Sequence, residues 1–223
     1  MPCIRPWLPR SPFTRKAGLV VSTVLESNVF VVDGLLDPCE ADGVVRWADA
    51  GPWTAATSRG PRRGEAERRH GRMATRDAEF ARALWEQTGL ADLVSDMLVP
   101  DDLRGAKAPS GLNEDVRVYS YSAGGDLFGK HVDEQVATPH GATEFTLLVY
   151  LTDVPEDAGG ATVFYGGRRD AVELARVQPV KGRALLHRHG TRCLTHASAP
   201  MAPAPRSGAQ PRKVVLRSDI AFA

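Results

Sequence analysis

From residue 115 to the C-terminus the chain is a succession of short strand-like runs broken by glycine and proline. That pattern restricts it to a mainly β architecture. Val116 to Tyr121 alternates and places Arg117, Tyr119 and Tyr121 on one face. Ser122-Ala123-Gly124-Gly125 is a turn signal. Residues 144–151 form a nearly continuous apolar run, and Thr162-Val163-Phe164 follows Gly159-Gly160. Further strands are predicted at 171–177, 183–187, 193–196 and 214–220. Many short strands with such punctuation indicate a sandwich or barrel, not a parallel sheet.

The first half reads differently. Val29-Phe30-Val31-Val32 is a short strand, and Asp37-Pro38 then opens a helix with Asp at the cap and Pro in the first turn. Asp77 caps a second helix whose Phe80, Ala81, Leu84 and Trp85 repeat at helical spacing, and Gly89 ends it. A third short helix is predicted over 90–98. Helices first and strands afterwards give an α+β chain with a mainly β core.

Residues 26–223 are read as one domain, and nothing resembles an internal repeat. Net charge is +1, so bulk electrostatics indicate no partner. The three cysteines, Cys3, Cys39 and Cys193, are scattered and supply no disulfide framework, which makes an intracellular, reducing compartment the default expectation. No apolar run approaches transmembrane length. Residues 1–25 carry Arg5, Arg10, Arg15 and Lys16 and are read as a flexible basic N-terminus, with an organellar transit segment as the alternative. Residues 59–72 hold six arginines against Glu65 and Glu67 and are read as a solvated loop. Residues 197–212, rich in Pro, Ala, Ser and Gly, are read as a mobile loop.

Chemistry concentrates in His131-Val132-Asp133. Residues two apart on a strand or its edge project to one side, so His131 and Asp133 can converge on one ion. Two imidazoles and a carboxylate on one face of a metal leave the other face open, the facial arrangement of non-haem Fe(II) oxygenases. The second imidazole must come from elsewhere. His196 is the candidate, and His187 and His189, themselves in H-x-H spacing, are its rivals. His70 and His140 are read as surface residues.

The surroundings of both halves carry a resemblance. Gly111-Leu112-Asn113, Arg117 to Tyr121, Gly124-Gly125, Phe128 and His131-Val132-Asp133 occur in order. Phe145 to Thr152, Gly159 to Phe164, Gly182 to His187, Leu194 to Ala197 and Lys213 to Asp219 follow. Across residues 29–222 this order resembles the prolyl-4-hydroxylase-like family of Fe(II)/2-oxoglutarate-dependent oxygenases, with a plant and algal subgroup among the similar proteins. The resemblance implies a double-stranded β-helix of the jelly-roll or cupin kind, with the N-terminal helices packed on it. It implies His131, Asp133 and His196 as the catalytic metal ligands. It also implies Fe(II), 2-oxoglutarate and O2, with ascorbate as an optional accessory.

By the same resemblance Lys213 takes the far carboxylate of 2-oxoglutarate, with Arg217 as the alternative. Tyr121 and Tyr150 match positions that hydrogen-bond the co-substrate. Thr146 and Leu148 share the strand face of Tyr150 and are expected beside it. Two departures stand out. The His196-to-Lys213 interval is longer than in the relatives, and His187 replaces a usual aromatic.

The implied reaction is hydroxylation of a peptidyl side chain, with succinate and CO2 released and a protein or peptide as partner. An alkylated nucleic-acid base demethylase is the alternative, suggested by the basic segment, although few aromatics are interleaved there for base stacking. A non-catalytic binding module would be expected to lack a ligand. A zinc hydrolase would need a base such as Glu134, which a continuing strand turns away from Asp133.

Overall fold

The computed structural model describes residues 13–58, 66–204 and 210–223. The helices are α1 (Pro38–Asp49), α2 (Ala78–Gln87) and α3 (Leu90–Met97). The first strands among the described residues are β1 (Val21–Leu25), β2 (Val29–Val32), β3 (Thr54–Thr57), β4 (Arg68–Arg76), β5 (Pro109–Leu112), β6 (Asp115–Ser122) and β7 (Leu127–His131). The rest are β8 (Ala137–Thr138), β9 (Gly141–Tyr150), β10 (Thr162–Gly166), β11 (Val172–Val177), β12 (Ala184–Arg188), β13 (Thr195–Ser198) and β14 (Arg212–Phe222).

They pair antiparallel along the path β1-β2-β12-β9-β14-β6-β4-β7-β13-β10-β11, with β3, β5 and β8 attached to β4, β14 and β9. The step from β4 to β7, through Arg68–Phe128 and Arg69–Leu127, joins a large half to a smaller one. The two halves close over a shared cavity lined by residues of both. This is the double-stranded β-helix, an α+β fold with a mainly β core.

Period-two alternation assigns the faces of the large half. Val116 and Val118, Leu147 and Val149, Ala184 and Leu186, Val214 and Leu216 point outward and are buried beneath the helices. Tyr119, Tyr121, Tyr150, Leu185 and Val215 point inward. Each such Val or Leu contributes about 1.5–3 kcal/mol by leaving water, so the helical cover is what makes the outer face stable.

α1 begins with a reciprocal cap: the Glu40 N–H donates to Asp37 Oδ1 at 2.9 Å, and the Asp37 N–H donates to Glu40 Oε2 at 2.8 Å. Trp47 of α1 stacks on Phe80 of α2 with ring centroids 5.0 Å apart. Gly89, at φ +90°, ends α2 and leads directly into α3.

Three expectations are corrected. Phe13 is buried and β1 pairs with β2, so residues 13–25 belong to the folded body, while 1–12 lie outside the described residues. In the basic segment, 59–65 lie outside the described residues, but Arg68 to Arg72 sit in β4, paired with β3 and β6. Its arginines are exposed, while His70 packs inward among Tyr119, Tyr121 and Phe128 and Met73 packs on the other face beneath the helices, burial that composition alone conceals. The segment 197–212 is also less free than its composition indicates. Ala197 and Ser198 extend β13, and Met201, buried, bridges to Gly159. Only 205–209 of it fall outside the described residues.

Cys39 on α1 is disulfide-bonded and Cys193 is a free thiol, so the reading of the scattered cysteines as unpaired is corrected at Cys39. No helix among the described residues is long and apolar enough to cross a membrane.

A tight approach fixes how α1 meets the sheet. Gly182 holds φ +82°, and a Cβ there would collide with the Leu36 carbonyl oxygen. The Gly182 N–H donates to Tyr150 O at 2.8 Å and its carbonyl accepts from the Leu36 N–H at 3.1 Å. Gly182→Ala is therefore expected to cost more than about 1 kcal/mol, read as a lower midpoint in urea unfolding. An unchanged midpoint would remove this constraint.

Candidate active site

Strand register assembles the site. His196 of β13 pairs directly with His131 of β7, and with Phe164 of β10 on its other side. Asp133 lies two residues beyond His131 and is buried, while Val132 between them is 51% exposed. His131, Asp133 and His196 thereby offer ligand atoms within 4.8 Å of one another.

The hydrogen bonds of each ring decide which nitrogen faces the cavity. His131 donates Nδ1–H to the Gly129 carbonyl at 2.8 Å, and His196 donates Nδ1–H to the Leu194 carbonyl at 3.0 Å. Both Nε2 atoms are left facing Asp133, at 3.8 Å for His131 and 3.5 Å for His196. A carbonyl on the far nitrogen is the usual outer support of a ligating histidine. His187, Cys193 and His196 make a second close group. Its sulfur, however, sits on the Nδ1 side of His196 at 3.9 Å and accepts the Asp133 N–H at 3.2 Å. That set would need the nitrogen already engaged by a carbonyl. The residues fit a metal through His131, Asp133 and His196.

Asp133 is held from several directions. Arg217 Nη1 lies 2.9 Å from Oδ1, and the Thr146 hydroxyl donates to Oδ2 at 2.6 Å. His189 Nε2–H donates to Thr146 Oγ1 at 2.6 Å, and the Thr143 hydroxyl donates to His189 Nδ1 at 3.0 Å. Burial by itself would raise the Asp133 carboxyl, but the His196 hydrogen bond and Arg217 outweigh it and hold the group well below the usual carboxylate range. Burial, with His196 beside it, pushes His131 down to about 3. For His196 the burial penalty is overcome by the Asp133 hydrogen bond, which raises it to about 9.

In the same cavity Lys213, 1% exposed, faces Tyr121 across the β14–β6 pair. Its Nζ donates to Gly160 O at 2.7 Å and to Ser198 Oγ at 2.8 Å, and lies 4.8 Å from the centre of the Tyr121 ring. It has no carboxylate partner among the described residues, and burial pushes it down to about 7. An unpaired buried ammonium is costly, and an entering carboxylate relieves that cost. Arg217 differs: Asp133 and Asp219, at 2.9 and 3.4 Å, already engage it.

The other expected residues divide. Tyr121 and Leu148 line the cavity with Lys213 and Arg217. Tyr150 does not; its hydroxyl donates to Thr162 Oγ1 at 2.8 Å, and Thr162 is the lining group. Thr146 supports Asp133 and does not line the cavity. His70, expected at the surface, is 5% exposed and packs among Tyr119, Tyr121 and Phe128. His140 is partly exposed. Glu134 is exposed, away from the cluster. Sequence reasoning missed Thr162 and Ser198, although Ser198, two residues after His196, was reachable by strand alternation.

Residues 116–215 match the family model of the 2OG-Fe(II) oxygenase superfamily. The match spans the stretch that carries His131, Asp133, His196 and Lys213, and it supports a dioxygenase whose cofactor and co-substrate are Fe(II) and 2-oxoglutarate. Among solved structures, the oxygenase is similar to a viral collagen prolyl hydroxylase from Paramecium bursaria Chlorella virus-1 in complex with 2-oxoglutarate. That likeness covers 88% of this chain and 96% of the other, at 19% identity and a TM-score of 0.56. A Pseudomonas putida prolyl-4-hydroxylase is similar over 87% of this chain and 92% of its own, at 15% identity and a TM-score of 0.58. A Trichoplax adhaerens prolyl hydroxylase, in complex with a peptide fragment of the hypoxia-inducible factor oxygen degradation domain, is similar over 88% and 84%, at 15% identity and a TM-score of 0.59. These likenesses show the fold. No curated protein matches the chain.

The support beneath Asp133 can be tested apart from the ligands. In the oxygenase, Thr146→Val keeps the side-chain shape but removes the donor to Asp133 and the acceptor for His189. Metal affinity is expected to fall about 10- to 100-fold, measured by calorimetric titration with Co(II). Unchanged affinity would leave Thr146 as a packing residue.

Proposed function

We propose that the oxygenase hydroxylates a peptidyl side chain, proline being the leading one, with 2-oxoglutarate converted to succinate and CO2. The carrying observation is one cavity lined both by the His131–Asp133–His196 group and by Lys213, buried without an anion. The first suits a metal and the second a carboxylate. The fold likeness to three prolyl hydroxylases, one of them in complex with a peptide, supports a protein or peptide partner. That step is one of analogy, because folds of this kind host several chemistries.

Fe(II) with 2-oxoglutarate and O2 supplies the oxidising power that replaces a substrate C–H bond by C–OH. The chain's own residues set the geometry. His131, Asp133 and His196 would hold the metal by Nε2, a carboxylate oxygen and Nε2. Lys213, with the Ser198 and Thr162 hydroxyls and Tyr121 beside it, would take the far carboxylate of 2-oxoglutarate. Arg217 keeps Asp133 ionised and oriented. The apolar walls, Phe128, Leu148 and Val215, exclude water around the reacting groups. This scheme assigns no side chain as general base or nucleophile.

Three measurements test the reading. Succinate release by iron-loaded protein is expected to rise with a peptide pool and not with an alkylated oligonucleotide pool; the reverse would favour the demethylase, and no release with no metal uptake would favour a binding module. Lys213→Met, which keeps most of the volume, is expected to raise the 2-oxoglutarate KM about 10- to 100-fold while metal uptake persists.

Burial holds the ligand-free Lys213 ammonium at about 7, and a bound carboxylate draws its pKa back up. Binding above that pH therefore takes up a proton. The 2-oxoglutarate affinity should fall as pH rises past about 7, by up to about tenfold per unit. A pH-independent titration between 6.5 and 8.5 would argue against Lys213 as the anchor.

A further inference from the structure

His187 stands close to two of the candidate metal ligands, Asp133 and His196. It lies on β12, opposite Thr146 of β9, and is fully buried. Its Nδ1 lies 3.3 Å from the Arg188 carbonyl, which orients Nε2 toward the cavity it lines. That Nε2 lies 3.6 Å from Asp133 Oδ2, beside the 3.5 Å of His196 and the 3.8 Å of His131. The His187 and His196 rings are 4.3 Å apart at 56°, and the His131 and His196 rings are 4.3 Å apart at 54°. His187 and His196 thus flank Asp133 Oδ2 while His131 faces Oδ1, each ring with Nδ1 toward a backbone carbonyl.

What sets His187 apart is that its buried Nε2 has no hydrogen-bond partner. A buried polar nitrogen without a partner costs free energy, and a ligand that occupies the site removes that cost. An aromatic residue in its place would have supplied packing alone. The placement of an imidazole there, aimed inward, is a chemical difference and not a change of shape.

We infer that His187 is a fourth protein ligand, so that before co-substrate binds the metal is held by three imidazoles and one carboxylate. The inference rests on His131, Asp133 and His196 binding the metal. A chelating co-substrate and O2 together need three positions on an octahedral ion, and four protein ligands leave two. His187 must therefore be the ligand that yields. Its Nδ1 support is the longest of the three, 3.3 Å against 3.0 and 2.8 Å, which suits that role. The exchange breaks one metal–nitrogen contact as a co-substrate oxygen takes its place, with no net change in redox state.

Pulsed EPR of the Cu(II)-loaded wild-type protein counts coordinated imidazoles through their remote nitrogens. Three are expected without 2-oxoglutarate and two after its addition. Two imidazoles at the outset would overturn the inference while leaving the oxygenase reading intact, and no metal uptake would sink both. As a second measurement, His187→Phe is expected to weaken Co(II) binding about tenfold or more in the absence of 2-oxoglutarate. The gap should shrink at saturating 2-oxoglutarate. Equal Co(II) affinity in the variant and the wild type would place His187 outside the coordination sphere. Should His187→Phe fail to fold, the imidazole count in the wild type decides alone.

Discussion

Burying the Asp133 carboxylate is the constraint around which the site is organised. An isolated buried carboxylate would neutralise itself or unfold its surroundings. Asp133 stays ionised because cations and donors arrive from three strands. Arg217 comes from β14, Thr146 from β9 and His196 from β13. Arg217 is in turn shared with Asp219, and Thr146 is in turn held by His189. The network satisfies most of its own polar atoms and leaves the open nitrogens on one side. A site of this kind is stiff where it grips and unsatisfied only where something else must bind.

The rest of the fold delivers those groups by alternation. Each central strand sends one set of side chains out beneath the helices and the other set inward. Val214 and Leu216 therefore bind the helical layer while Lys213, Val215 and Arg217 line the cavity. A one-residue slip of β14 would exchange the two sets and place a lysine and an arginine against the helices. The apolar outer face fixes the register, and the register fixes the site. Gly182, pressed against the Leu36 carbonyl, locks the start of β12 in the same frame.

Much of the fold was readable before any coordinates. The capped helices at Asp37 and Asp77 and the strands from residue 116 onward carry local signals, because caps, turns and alternation act over a few residues. The strands at Arg68–Arg76 and Pro109–Leu112 were not readable. The first looks like a charged loop by composition, and the second contains Pro and Gly. Both are strands because a neighbour's backbone accepts them, β6 in one case and β14 in the other. The site divides in the same way. The grouping of His131 with Asp133 follows from spacing of two. Tyr150 reads as a cavity residue by face, yet Thr162 stands between it and the open space. His70 reads as a surface residue and is buried, because Tyr119, Tyr121 and Phe128 surround it.

By itself the sequence determined the class of fold, the short-range His131–Asp133 pair and the order of the strands that carry His196 and Lys213. Each depends on neighbours in the chain or on a pattern repeated along it. Only the tertiary structure decided which basic residue is free for an anion and which is spent on Asp133. It alone also brought His187 beside His196 and Asp133, with its inward nitrogen unpaired. Those facts depend on which strands pair and in what register, and pairing is settled by burying the whole sheet at once, a balance that no local stretch of residues contains.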